Sequence, residues 1–320
     1  MNLIGRWKAG IKIGPKDWKE KLERSRAQYT EVWYRVGAES HYLDMFRFLA
    51  DHAVQAGLHY WGTIEINDRS YMSNLAYPDP QVQEQTISSM KTCIDTAAKH
   101  QARYVNVHMG NRAVFELQLT PDHTNFSRSN FQIIDLEEAY ATMVKNTQIL
   151  HAYAKNKGVM FIVESIPSKN PNKQPGDTGS GRLTPIEAYA LDSTLLEKLA
   201  KDTGVAIAHD LGHTGAEIET DSAETLWQHL LRRTKALAPY VKLIHMNTLG
   251  PPWNGTDSHN GILPEDFAMG VVPQPNQLRE LLEIFRDRED VWIVNEPNDK
   301  HEENLIALEA FRISSSQLPL

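Results

Sequence analysis

The chain has 320 residues, 41% of them hydrophobic, enough to bury a large core and within the usual length of one (β/α)8 domain. Net charge is −8 with a pI of about 5.9 and no run of Lys or Arg, so bulk electrostatics disfavour a nucleic-acid partner. No apolar run approaches the roughly 18 residues of a membrane span, and Met1-Asn-Leu-Ile-Gly-Arg-Trp-Lys8 lacks the apolar stretch of an export signal, so a cytoplasmic protein is expected.

Short apolar runs alternate with amphipathic segments along the chain. Ala9–Gly14 reads as a first strand, followed by a helix over about 17–28; Thr30–Val36 is a second, with a helix over about 42–56. Leu58–Ile66 reads as the third strand, and the loop around Tyr77-Pro-Asp-Pro80 opens a long helix reaching about His100. The single cysteine, Cys93, falls in that helix and reads as a small core residue with no disulfide partner. Arg103–His108 is the fourth strand, and a helix over about 136–156 leads to the fifth, Val159–Glu164. A Gly/Pro/Asn/Lys-rich loop, Ser165–Leu183, precedes helical segments near 185–190 and 193–202. Val205–Asp210 is the sixth strand, a helix over about 223–237 leads to the seventh, Val241–Asn247, and a helix over 278–287 to the eighth, Val291–Glu296. A closing helix begins near Glu302. Strands separated by helices of this length pair in parallel through right-handed crossovers, and eight such units predict a single (β/α)8 TIM barrel over residues 1–320.

The strand ends carry the chemistry. The fourth strand ends in His108, the fifth in Glu164, the sixth in Asp210 with His213 close behind, the seventh in His245 and the eighth in Glu296. The C-terminal rim of a parallel barrel gathers such residues around one axis. Asp257 and His259 follow the seventh strand at i, i+2, a spacing that puts both on one face of an extended segment. Carboxylates and imidazoles converging on one cavity repel or stay unpaired without a cation, so a divalent metal is expected. A donor set without thiolate suits Zn, Mn or Fe(II) better than Ca or Mg.

Several motifs together resemble a known family: Ser70-Tyr-Met-Ser-Asn-Leu-Ala-Tyr-Pro-Asp79, Val107-His-Met-Gly110, Ile162-Val-Glu164, His209-Asp-Leu-Gly-His213, Ile244-His-Met-Asn247, Asp257-Ser-His259 and Glu296. From about Ala9 to Phe311 the chain resembles the xylose isomerase-like TIM barrels, also called the apurinic endonuclease family 2 superfamily, with a ligand pattern closest to endonuclease IV. The resemblance implies Glu164 bridging two ions, one completed by His108 and the other by Asp210, His245 and Glu296, with a third ion on His213, Asp257 and His259. Asp68 stands where the family's first histidine ligand falls. One to three Zn or Mn ions per chain are implied, with Glu164 and Glu296 as the catalytic carboxylates, in a centre suited to hydrolysing a phosphoester.

The loops depart from that branch. Ser165-Ile-Pro-Ser-Lys169 replaces a Gly-Gln-Gly signature, no lysine closely follows the seventh strand, and Asn260–Glu265 lacks a glycine-rich run. These are features associated with gripping DNA, so abasic-DNA activity does not follow from the ligands. The alternative implied by the shared core alone is a sugar or sugar-phosphate isomerase or epimerase with one metal on Glu164, Asp210, His245 and Glu296. The expected partner is a small sugar or phosphoester substrate, with nucleic acid left open but not favoured. Lys169, Lys173 and Arg182 on the long loop are candidates to receive its phosphate, and Trp253, with Trp61 and Tyr71, is a candidate for a sugar face or for core packing.

Overall fold

Strands covered on both faces read as continuous apolar runs, because helices shield the outer face and the barrel interior the inner one. The computed structural model describes residues 5–119, 124–166 and 191–313. Within them the strands are β1 (Lys8–Ile13), β2 (Tyr29–Arg35), β3 (Gln55–Trp61), β4 (Thr63–Ile66), β5 (Arg69–Met72), β6 (Tyr104–His108), β7 (Phe115–Leu119), β8 (Thr124–Arg128), β9 (Met160–Glu164), β10 (Ala206–Asp210), β11 (Val241–Met246) and β12 (Trp292–Asn295). Eight of them close a parallel barrel in the order β1-β12-β11-β10-β9-β6-β3-β2. The expected (β/α)8 barrel is therefore present.

The helices are α1 (Trp18–Ser25), α2 (Leu43–Asp51), α3 (Pro80–Lys99), α4 (Leu136–Asn156), α5 (Ser193–Thr203), α6 (Leu211–Gly215), α7 (Ala223–Leu237), α8 (Pro264–Ala268), α9 (Pro275–Glu283) and α10 (His301–Ile313). Their starts follow from sequence: Pro80 fits the first turn of α3, and the Asp79 carboxylate accepts from the Gln81 and Val82 amides. Val82, Thr86, Met90, Cys93, Ile94 and Ala97 form the buried stripe of α3, so Cys93 is a core residue. Asp135, Asp192 and Ser222 cap α4, α5 and α7 in the same way. No helix among the described residues is long and apolar enough to cross a membrane.

The third predicted strand is split. β3 ends at Trp61, and beyond Gly62 the chain turns into a hairpin, β4 with β5, whose Asn67 and Asp68 both have positive φ, 50° and 59°. A two-residue turn with two left-handed residues is what a hairpin's twist requires, and Asn and Asp tolerate it. β7 and β8 extend this hairpin into a four-stranded antiparallel sheet, order β4-β5-β7-β8. Reading one apolar run straight across Gly62 conceals that sheet.

Inside the barrel, alternation sorts the residues by height. Tyr104, Ile162, Ala208, Leu243, Trp292 and Val294 form an apolar plug. Two residues further along β6, β9, β10 and β11 the inward positions become Asn106, Glu164, Asp210 and His245, while Val105, Val163, Ile207 and Ile244 face the outer core. The polar rim rests on this plug.

Candidate metal centre

Glu164 ends β9 with its side chain fully buried, and its two oxygens face different groups. Oε1 is 2.8 Å from His245 Nδ1 and 3.5 Å from His213 Nδ1. Oε2 is 3.7 Å from His59 Nε2 and 3.8 Å from His108 Nε2. Asn106 Nδ2 donates to the same Oε2, fixing the carboxylate in its plane.

Asp210 is both the last residue of β10 and the cap of α6. Its Oδ1 accepts from the His213 amide at 2.9 Å, which ties the two residues of this motif together and leaves Oδ2 facing the site. Asn247 Nδ2 donates to the same carboxylate at 3.1 Å. His245, at the end of β11, turns Nδ1 toward Glu164, toward Glu296 Oε2 at 3.1 Å and toward Asp210 Oδ2 at 3.5 Å.

Beyond β11 a loop returns Asp257 and His259 to the rim. His259 Nδ1 donates to the Glu296 carbonyl at 2.8 Å, leaving Nε2 at 2.7 Å from Asp257 Oδ2. His213 Nδ1 likewise donates to the Ser165 carbonyl at 2.9 Å, leaving Nε2 at 3.6 Å from the same Asp257 oxygen and 3.8 Å from Asp210. Backbone carbonyls thus set both tautomers so that Nε2 of each ring is presented to one spot. His259 sits at φ 44°, a left-handed conformation uncommon for a side-chain-bearing residue.

Ligand atoms of four overlapping groups converge within 4.8 Å: His59, His108 and Glu164; Glu164, Asp210 and His245; Asp210, His213 and His259; and, on the β1–β3 side, Glu31, His59, His245 and Glu296. Buried atoms of these groups and of the neighbouring Asp257 have no hydrogen-bond partner among the described residues: both His59 nitrogens, Glu31 Oε1, Glu296 Oε2 and Asp257 Oδ1. Buried polar atoms left unpaired cost free energy, and a bound cation is what their placement accommodates. The residues present therefore fit divalent ions.

The electrostatics follow from crowding of opposite charges. Burial opposes ionisation of Glu164, yet His245 and the other imidazoles hold its carboxyl well below the usual range. Burial likewise opposes protonation of His245, but Glu164, Glu31 and Glu296 raise it well above an ordinary histidine. His259 is pushed up to about 10, because Asp257 outweighs its burial. His108 goes the other way: burial pushes it down to about 3, with Glu164 opposing only in part.

The structure brings together His108, Glu164, Asp210, His213, His245, Asp257, His259 and Glu296. It does not bring Asp68 to them. Asp68 lies exposed at the turn of the β4–β5 hairpin, because the strand that should have carried it forward ends seven residues earlier, at Trp61. The imidazole that stands on that side of the site is His59 of β3. Lys12, Glu31 and His59 are the residues sequence reasoning missed, and one signal betrays each: a polar residue at an inward position of a buried strand, as in Ile11-Lys12-Ile13 and Leu58-His59-Tyr60.

Lys169, Lys173 and Arg182 lie outside the described residues. Trp253 is half-buried against the core and its indole donates to the Leu249 carbonyl at 3.1 Å, so it braces the loop that carries Asp257 and His259. Tyr71 is buried against Phe131, and Trp61 packs edge-on to Trp33. A cavity of about 740 Å³ opens at the opposite end of the barrel around Arg6, Arg26, Tyr29 and Arg312, away from all of these ligand groups.

Residues 49–314 match the family model for the xylose isomerase-like TIM barrel. No curated protein matches the chain. Solved structures match along nearly the whole length at low identity. Endonuclease IV from Thermus thermophilus is 17% identical, with 95% of this chain and 98% of that one covered and a TM-score of 0.52. D-Psicose 3-epimerase from Clostridium cellulolyticum, crystallised with D-tagatose, is 15% identical, with 93% and 89% covered and a TM-score of 0.56. The TTHB071 protein from Thermus thermophilus, soaked with ZnCl2, is 15% identical, with 95% and 97% covered and a TM-score of 0.57. At such identity these likenesses establish the fold.

Proposed function

This chain belongs to the xylose isomerase-like TIM barrel family, and on that premise we propose that it is a divalent-metal-dependent hydrolase of small phosphoesters, working through a multinuclear centre on the barrel rim. The observation that carries the reading is the way Glu164 divides: Oε1 faces His245 and His213, Oε2 faces His59 and His108. A carboxylate whose oxygens serve two neighbouring ligand groups is arranged to bridge two ions. Asp210 is shared in the same sense between the groups completed by His245 and by His213 with His259.

In this reading His59, His108 and Glu164 would hold one ion, Glu164, Asp210, His245 and Glu296 a second, and His213, Asp257 and His259 a third. Zn, Mn or Fe(II) suits the donors. Ions in such a cluster polarise a phosphoryl oxygen, acidify water and stabilise the leaving oxygen. Asn106 and Asn247 keep the Glu164 and Asp210 carboxylates turned to the rim, and the Ser165 and Glu296 carbonyls keep His213 and His259 in the ligating tautomer. Glu296 would reach its ion through Oε2, which no hydrogen bond occupies, since Lys12 holds Oε1. Lys169 and Arg182 are proposed to receive the substrate's phosphate. With a net charge of −8, a small phosphoester fits better than duplex DNA.

A second reading has its own support. His245 Nδ1 has Glu164, Glu296 and Asp210 oxygens at 2.8, 3.1 and 3.5 Å, three carboxylates on one nitrogen. One ion there, with Glu164 and Glu296 moving a proton at a sugar carbon, would give a ketose isomerase or epimerase.

The two readings separate on substrates. Protein loaded with Zn or Mn is assayed on p-nitrophenyl and bis(p-nitrophenyl) phosphate, and on ketoses and ketose phosphates in deuterated water. Hydrolysis that is lost with chelator and in Glu164→Gln supports the phosphoesterase. Deuterium entering a ketose with no hydrolysis replaces it with the epimerase.

A further inference from the structure

The fourth ligand group differs from the other three because a cation of the protein itself reaches into it. Glu31, His59, His245 and Glu296 converge within 4.8 Å, and Lys12 of β1, 2% exposed, extends Nζ among them. The ammonium is bonded to Glu296 Oε1 and stands 3.7 Å from Glu31 Oε2. It also lies 4.0 Å over the ring of Trp33, which stacks on His59 at 4.3 Å and so walls this pocket. A buried ammonium is tolerated only where carboxylates compensate it closely.

We propose that the Lys12 ammonium is the resident cation of this lower pocket, occupying the place of a metal ion and confining metal to the rim. The partition of Glu296 fits: Oε1 is held by Lys12, while Oε2 is left 3.1 Å from His245 Nδ1 on the rim side. Glu31 turns Oε2 to the same space, 2.7 Å from His245 Nε2, 3.6 Å from His59 Nδ1 and 3.7 Å from the ammonium. Remove the ammonium, and carboxylate oxygens of Glu31 and Glu296 are left around one space with His59 Nδ1, which lies 3.6 Å from Glu31 Oε2 and has no hydrogen-bond partner among the described residues, a donor set that binds a divalent ion. Lys12 is in this sense a positioning residue that fixes how many ions the chain holds. The inference rests on the rim being a metal centre only for the wild-type count against which a gain is read.

The test is metal content per chain after loading with Mn or Zn and desalting, for wild type, Lys12→Met, Lys12→Gln, Lys12→Arg and the double variant Lys12→Met with Glu31→Gln. Lys12→Met is expected to hold about one ion more than wild type and to gain more Tm from the metal than wild type does. Lys12→Arg should keep the wild-type count, and the double variant should lose the extra ion. Lys12→Gln, whose amide still donates to Glu296, should also gain an ion and serves if Lys12→Met fails to fold. A folded Lys12→Met or Lys12→Gln with no ion beyond the wild-type number overturns the proposal. A wild type without any ion would sink the rim reading alone, since a gain in Lys12→Met is scored independently.

Discussion

Glu31 Oε2 lies 2.7 Å from His245 Nε2, so a fully buried carboxylate at the end of one hydrogen bond fixes which nitrogen of His245 faces the rim. Nε2–H donates to Glu31, and Nδ1 is left for the ligand side. A carboxylate orienting a ligating imidazole in this way is commonly worth 10- to 100-fold in metal affinity. Glu31→Leu is therefore expected to weaken metal binding by roughly that factor, and Glu31→Gln, whose carbonyl still accepts from Nε2, by less. Competition against a chromophoric chelator measures it. Equal affinities in all three proteins would remove Glu31 from this role.

Gly212 stands where no side chain fits. A Cβ there would lie 2.3 Å from Asp257 Oδ1 and 2.8 Å from Asn247 Oδ1, so Gly212→Ala must push the Asp257 carboxylate away from His213 and His259. The expected result is a folded protein, destabilised by roughly 1–3 kcal/mol, that holds less metal while keeping the groups around Glu164. A variant with unchanged metal content would show that Asp257 contributes nothing to binding.

pH should act on metal loading through His259. Its folded value, about 10, lies above the ordinary histidine value of 6.5 because Asp257 stabilises the imidazolium more than burial opposes it. For the metal-free protein the sign is that of a raised group: the stabilisation is complete below 6.5 and is lost as pH rises through about 10. A ligating nitrogen must shed its proton, so metal competes with that proton, and apparent affinity should climb with pH across this window. Calorimetry in two buffers of different ionisation enthalpy would report protons released on loading at pH 8. No release, with affinity flat from pH 6.5 to 9, would contradict the assignment of His259 as a ligand.

Much of this site is visible in the sequence because a barrel converts strand ends into one circle. His108, Glu164, Asp210, His245 and Glu296 each close an apolar run, and the rim collects them. Within a strand the period of two does the sorting, as His209 and Asp210 illustrate: the histidine turns outward to Thr234 Oγ1 at 2.8 Å while its neighbour faces the rim. The same period would have exposed Lys12, Glu31 and His59. They escaped because they stand in mid-strand, where a lone polar residue reads as noise in an apolar run. Asp68 misled for the opposite reason. Spacing from Tyr71 to Leu75 is preserved, but the β4–β5 hairpin takes Asp68 into its turn, and which residue reaches the rim depends on that turn at Asn67 and Asp68 rather than on distance along the chain.

Removing Glu164 should be more damaging than removing His259. Glu164→Gln keeps the Asn106 side of the site filled but takes the negative charge shared by two ligand groups, and turnover is expected to disappear with far-UV circular dichroism unchanged. His259→Ala should abolish phosphoester hydrolysis and leave binding at Glu164 largely intact. Full ketose epimerisation in His259→Ala would instead favour the single-ion reading.

The most direct test of a bridged, multinuclear rim is the number of metal ions per chain, measured by plasma mass spectrometry on protein purified without chelator and again after loading with Zn and Mn. About two or three ions are expected for wild type, fewer in His259→Ala, and the largest loss in Glu164→Gln because that carboxylate lies in two ligand groups. A single ion that vanishes in Glu296→Ala and survives in His259→Ala would contradict a bridged, multinuclear rim.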